Sequence, residues 1–133
     1  MSQIEARSVE VVGGFAFDVG VSATSGWQST GISVSPGETL NISYLSGLWV
    51  GRVGDPYHGP EGPTFDAYPG GSNYPLPGVV EDSLVGRINK TVFFVGRQLR
   101  LPVREAGVLE LTINDIGHYD NRGKITMRVV VTK

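Results

Sequence analysis

The chain has 133 residues, no cysteine and a formal net charge of −2. This length is enough for one ordinary domain with its own core. The lack of thiols removes disulfides and the usual ligands of zinc and iron–sulfur sites. Charges of both signs are scattered along the chain, with no basic stripe for nucleic acid. No apolar run reaches the length of a membrane span, and the opening residues lack the apolar core of a signal peptide. A soluble protein without membrane insertion is expected, either cytoplasmic or exported without a cleaved leader.

Nineteen glycines and eight prolines punctuate the sequence too often for long helices. In chain order the strand candidates are 9–17, 31–34, 38–44, 48–53, 83–88, 91–96, 98–103, 108–114 and 125–131. Three of them alternate cleanly. Leu40, Ile42 and Tyr44 oppose Thr39, Asn41 and Ser43; Leu109, Leu111 and Ile113 oppose Glu110, Thr112 and Asn114. Ile125, Met127, Val129 and Val131 share one side of the last run, with Thr126, Arg128 and Val130 on the other. Period-2 alternation marks half-buried strands. About seven to nine short antiparallel strands predict an all-β fold, a small sandwich forming a single domain over 1–133, with a small barrel as the competing arrangement.

The segment 54–80 breaks this rhythm, with many Pro and Gly residues and no alternation. A stretch of this length without regular structure inside a domain is usually functional or disordered. Tyr57, His58, Phe65, Tyr68 and Tyr74 give it an aromatic density unlike a spacer. An ordered surface loop that shapes a binding site is expected.

Near the C-terminus, the strand from Val108 delivers Asn114 and Asp115 to a tight loop that also carries Asp120, Asn121 and Gly123. Two carboxylates, a carboxamide and bent backbone carbonyls suit calcium, which takes six to eight oxygens, better than magnesium. The same residue types also make plain turns by local hydrogen bonding. Residue types alone leave both readings open.

Asn114-Asp115, followed after four residues by Asp120-Asn121 and then Gly123, resembles the calcium loop of the PA-IL type of bacterial galactose-binding lectin and related galactose-binding-like, jelly-roll-like sandwiches. The likeness extends upstream in the same order. It takes in the segment from Trp27 to Trp49, with its Thr-Gly-Ile strand and Pro-Gly turn, then the His58-Gly59-Pro60-Glu61-Gly62 turn, and then Ser83 to Ile88 with Val95-Gly96 following. The resemblance implies that Asp115, Asp120 and Asn121 hold Ca2+ through their side chains. Main-chain carbonyls of Arg52 and of Gly117 (or, in its place, His118) would join them. Calcium would then coordinate two neighbouring sugar hydroxyls, with Asp115 and Asp120 accepting hydrogen bonds from them. Ile116, Asp66, Tyr68 and His58 complete the expected sugar-binding set. The calcium loop is shorter here than in that family, and Asp120 replaces one of its two Asn residues. Asp66 and Pro69 stand where the family has its sugar-contacting His and Gln.

An enzyme is not expected. Only His58 and His118 are present, no nucleophile elbow is visible, and acids such as Glu61, Asp66, Glu81 and Asp82 offer pairs by chance. The expected function is calcium-dependent binding of carbohydrate, galactosides or glycoconjugates, by a chain compatible with a homo-oligomer. The alternative is a non-enzymatic assembly module whose calcium only braces the loop.

Overall fold

Alternating apolar residues pair into ten strands in a computed structural model that describes residues 2–3, 6–11, 14–64 and 68–133. The strands are β1 (Ser2–Gln3), β2 (Ala6–Val11), β3 (Gly14–Ser22), β4 (Gln28–Val34), β5 (Thr39–Val50), β6 (Leu84–Ile88), β7 (Thr91–Phe94), β8 (Gln98–Pro102), β9 (Gly107–Ile113) and β10 (Arg122–Thr132). They form two five-stranded sheets, ordered β1-β4-β9-β6-β7 and β2-β3-β10-β5-β8. Neighbours run antiparallel except β1, which lies parallel to β4. The fold is a β-sandwich, not a closed barrel. Among the described residues no helix is long and apolar enough to cross a membrane.

The core lies between the inner faces of the sheets. Leu84, Leu109, Leu111 and Ile113 come from one sheet; Val19, Val21, Leu40, Ile42, Ile125, Met127 and Val129 come from the other. All of these are fully buried. Burying such a side chain contributes about 1.5–3 kcal/mol each, so the layer between the sheets, rather than the loops, carries the stability.

Three expected strands are redrawn. The segments 38–44 and 48–53 are parts of one strand, β5, which ends at Val50 and pairs with β10 along its length. A register shift between Thr126 and Met127 leaves Leu45 without a partner and bends β5 at this bulge. The expected strand 9–17 is instead the end of β2 and the start of β3, paired with Val11 opposite Gly14.

The end of β5, the end of β9 and the start of β10 and β6 share one end of the sandwich: Trp49 pairs with Gly123, and Leu84 with Ile113. Gly123 adopts φ +97°, and a Cβ there would collide with the Leu48 carbonyl. Only glycine lets β10 start this close to β5. The loop between β9 and β10 and the turn after β5 are thereby brought together.

Candidate functional site

The loop between β9 and β10 is tied down by its own backbone. Asp115 N–H donates to the Ile113 carbonyl at 2.9 Å, and Asn121 N–H to the His118 carbonyl at 3.3 Å. Ile116 N–H donates to Asp115 Oδ1 at 2.8 Å, a local side-chain turn bond of the kind Asp readily makes. Asp115, Ile116, Gly117, Tyr119 and Asp120 form one wall of a cleft of about 340 Å³. The turn after β5 supplies Gly51 and Arg52, the long loop supplies Asp55, His58 and Tyr74, and the short run before β6 supplies Glu81 and Asp82.

The described residues of the long loop have almost no regular structure; Trp49–His58 and Pro69–Val80 are isolated bridges. Asn114 holds it in place. Its side chain is fully buried and bonds to Leu76 N–H at 2.9 Å and the Leu76 carbonyl at 3.1 Å. It also reaches the carbonyls of Val79 and Val80 at 3.2 and 3.3 Å. Because Asn offers both donor and acceptor, one carboxamide satisfies several backbone groups of an irregular segment.

Electrostatics in the cleft are dominated by Asp82. Its backbone is locked from both sides: its N–H donates to the Asn114 carbonyl at 2.8 Å, and its carbonyl accepts from Trp49 Nε1 at 3.0 Å. Burial pushes its carboxyl up to about 8, with the Asp115 and Glu81 charges adding to the effect, a hydrogen bond with Asp115 also raising it, and Arg52 opposing it. The folded state therefore holds this proton more tightly than the unfolded chain. The corresponding stability is lost as pH rises from the ordinary carboxylate range through about 8. Tyr74, whose hydroxyl donates to Glu81 Oε2 at 3.0 Å, is pushed up to about 12, first by burial and then by Glu81.

Of the expected metal ligands, Asp115 and Asp120 line the cleft together with Arg52 and Gly117. The His118 carbonyl already accepts from Asn121 N–H, which favours Gly117 as the loop's main-chain donor. Asn121 is fully buried, and its Nδ2 donates to the Ala23 carbonyl at 2.8 Å. Its Oδ1 is buried without any hydrogen-bond partner. A buried carboxamide oxygen without a donor is costly in an apolar surround, and a hard cation is one group that would satisfy it. Among the described residues no three His, Asp or Glu side chains gather as a ligand set on their own, so a calcium site here must draw on Asn121 and carbonyls as well as Asp115 and Asp120. That donor mix of carboxylate, carboxamide and carbonyl oxygen fits calcium.

The expected sugar contacts divide. Ile116 is half exposed on the cleft wall. Tyr68 is 61% exposed but does not line the cleft. His58 lines the cleft yet is buried, with Nδ1 2.8 Å from the Gly59 carbonyl and its backbone bridged to Trp49, so it forms a wall rather than an open ring face. Asp66 lies outside the described residues. The sequence offered Glu81 and Asp82 only among four acids that pair by chance, Tyr74 only among the aromatics of the long loop, and no role for Tyr119; all four line this cleft. Tyr119 is 89% exposed at its rim.

A two-sheet sandwich with a loop-built acidic cleft at one end defines the architecture. No sequence-family model matches the chain, and no curated protein matches it. Among solved structures it is similar to one described as the EclA N-terminal domain, a PllA-like lectin, at 22% identity and a TM-score of 0.59. The match covers 86% of this chain and 93% of that one, so the two share a fold along nearly their whole lengths.

Proposed function

We propose that this chain is a calcium-dependent lectin, without enzymatic activity, that binds galactose-type sugars at the cleft between the β9–β10 loop and the turn after β5. The observation that carries this reading is the placement of Asp115 and Asp120 in one cleft with Arg52 and Gly117; Asn121, next to Asp120 in sequence, does not itself line that cleft but has a buried, unpartnered Oδ1. The shared fold with a domain described as a lectin supports it. When bound, calcium supplies open coordination positions for two vicinal hydroxyls. The protein's own part is to hold the carboxylates rigidly and to accept hydrogen bonds from those hydroxyls on Asp115 and Asp120. Ile116 and Tyr119 border the cleft and offer apolar contact to the sugar's carbon face.

A glycan array run with calcium and again with chelator tests the reading: galactosides are retained only with calcium. Parallel titration of galactose, glucose, mannose and fucose tests the sugar class. Single-site binding is expected at a dissociation constant of about 0.1 to 1 mM, roughly −5.5 to −4 kcal/mol, with avidity gained if the chain forms a homo-oligomer. Binding of mannose or glucose without galactose would remove the galactose assignment. An array silent in both conditions, with calcium still bound, would favour a calcium-braced assembly module.

A further inference from the structure

The tip of the long loop folds back onto the run that leads into β6. Residues 68–70 and 78–81 lie side by side: Glu81 N–H donates to the Tyr68 carbonyl at 2.8 Å, Pro69 bridges Val80, and Gly70 N–H donates to the Val79 carbonyl at 2.7 Å. Between these arms Tyr74 N–H closes a turn on the Gly71 carbonyl at 3.1 Å, and the Tyr74 hydroxyl reaches Glu81 Oε2 at 3.0 Å. The ring lies so close on Gly70 that a Cβ there would come within 2.7 Å of Tyr74 Cδ2. Asn114 pins the returning arm through the carbonyls of Leu76, Val79 and Val80. Main chain, glycine packing and a buried carboxamide together fix where this phenol and this carboxylate stand.

The pair is not sealed inside the loop. Both residues are only half-buried, and both line the cleft that holds Asp115 and Asp120. A phenol whose proton is committed to a carboxylate turns lone pairs to its remaining surroundings, and an ionised carboxylate only accepts. Such a pair takes hydroxyl donors and repels anions. We propose that Tyr74 and Glu81 are specificity-determining residues of the sugar site: a paired acceptor that takes a hydroxyl of the bound galactoside other than the two on the ion, and that excludes sugars carrying a carboxylate at that place. This rests on the galactoside reading given above. A methyl galactoside with its two neighbouring cis hydroxyls on the ion has its 2-hydroxyl and its 6-hydroxyl left to be read. A site built to hydrogen-bond a hydroxyl rejects the analogue that lacks it. Because the acceptors are already in place, little ordering is needed when the sugar arrives.

The test is titration of the full chain, in calcium, with methyl galactoside, its 2-deoxy and 6-deoxy forms, and methyl galacturonate. In the wild type one of the two deoxy sugars, and the galacturonate, should bind about tenfold more weakly than the parent. In the double variant Tyr74→Phe/Glu81→Ala the parent should weaken to the level of that deoxy sugar, so that the difference between them disappears, while the calcium-dependent melting shift is kept. A role in loop stability alone would weaken all the sugars together and leave their ratios as they were. Glu81→Gln can still accept from Tyr74 and serves where the double variant does not fold; it should bind galacturonate about tenfold more tightly than the wild type does. A wild type that binds both deoxy sugars or the galacturonate as well as the parent overturns the proposal. So does a deoxy difference that survives in the double variant, or a Glu81→Gln protein that rejects galacturonate as strongly as the wild type. A wild type that binds none of these sugars overturns the galactoside reading itself, and this proposal with it.

Discussion

Asn114 grips Leu76 by both of its main-chain groups, accepting from the N–H and donating to the carbonyl. A side chain at the end of a core strand thereby imitates a strand partner for a loop 38 residues earlier in the sequence. Asn114→Asp keeps the acceptor but turns the donor into an anion facing the carbonyls of Leu76, Val79 and Val80. Leaving buried polar groups unsatisfied costs about 1–3 kcal/mol or more when charge is involved. Urea melts should show that loss, and limited proteolysis should show faster cutting between residues 68 and 80. Unchanged stability would mean that the loop is held by something else.

Calcium should stabilise the fold. An ion at a hundred times its dissociation constant adds roughly 2.7 kcal/mol, visible as a higher melting temperature in millimolar calcium than in chelator. Asp115→Asn should abolish most of that shift and galactoside binding with it, since the carboxylate is assigned to both. If melting is the same with calcium and with chelator, no ion is bound at this cleft.

A change that spares the proposed ligands should separate the ion's two roles. Tyr119 is 89% exposed at the cleft rim, so Tyr119→Ala leaves the core untouched. It is expected to weaken galactoside binding about three- to tenfold, the loss of one modest aromatic contact, with the calcium-induced melting shift preserved. A variant that binds sugar as well as wild type would place the ring outside the ligand.

Tyr74 gives a pH signature. Below pH 10 the phenol is neutral in both states; between 10 and about 12 the unfolded chain releases this proton while the folded one keeps it. The unfolded state then binds fewer protons, and stability falls as pH rises through that window. Absorbance at the phenolate band should show one of the five tyrosines titrating late, and Tyr74→Phe should remove the late component. Five overlapping transitions would show that the contact with Glu81 is not kept in solution.

The core strands were legible because alternation is a local signal: Leu109, Leu111 and Ile113, or Ile125, Met127 and Val129, declare their inner face unaided, and all are buried. Asp115 and Asp120 were legible as candidates because they share one short loop, and both line the cleft. Asp82 was not legible, because its position depends on pairing between distant strands. β6 runs antiparallel to β9 with Leu84 opposite Ile113. Carried two residues past each strand end, that register sets Asp82 against Asp115, and nothing in the sequence around either residue specifies it. His58 failed in the opposite way. Its surroundings read as an open aromatic loop, but the bridge between His58 and Trp49 turns the ring inward.

The position of β10 has a consequence for how the protein is made. The last strand in the chain lies in the middle of its sheet, with β3 on one side and β5 on the other. Until residues 122–132 leave the ribosome, β3 and β5 have no partner between them and present open edges able to recruit other chains. Assembly of this sheet therefore waits for β10, and its distant pairings put folding in roughly the millisecond-to-second range. During that interval the nascent chain depends on whatever shields its edges, and a stop before β10 removes the strand that joins the two halves of this sheet.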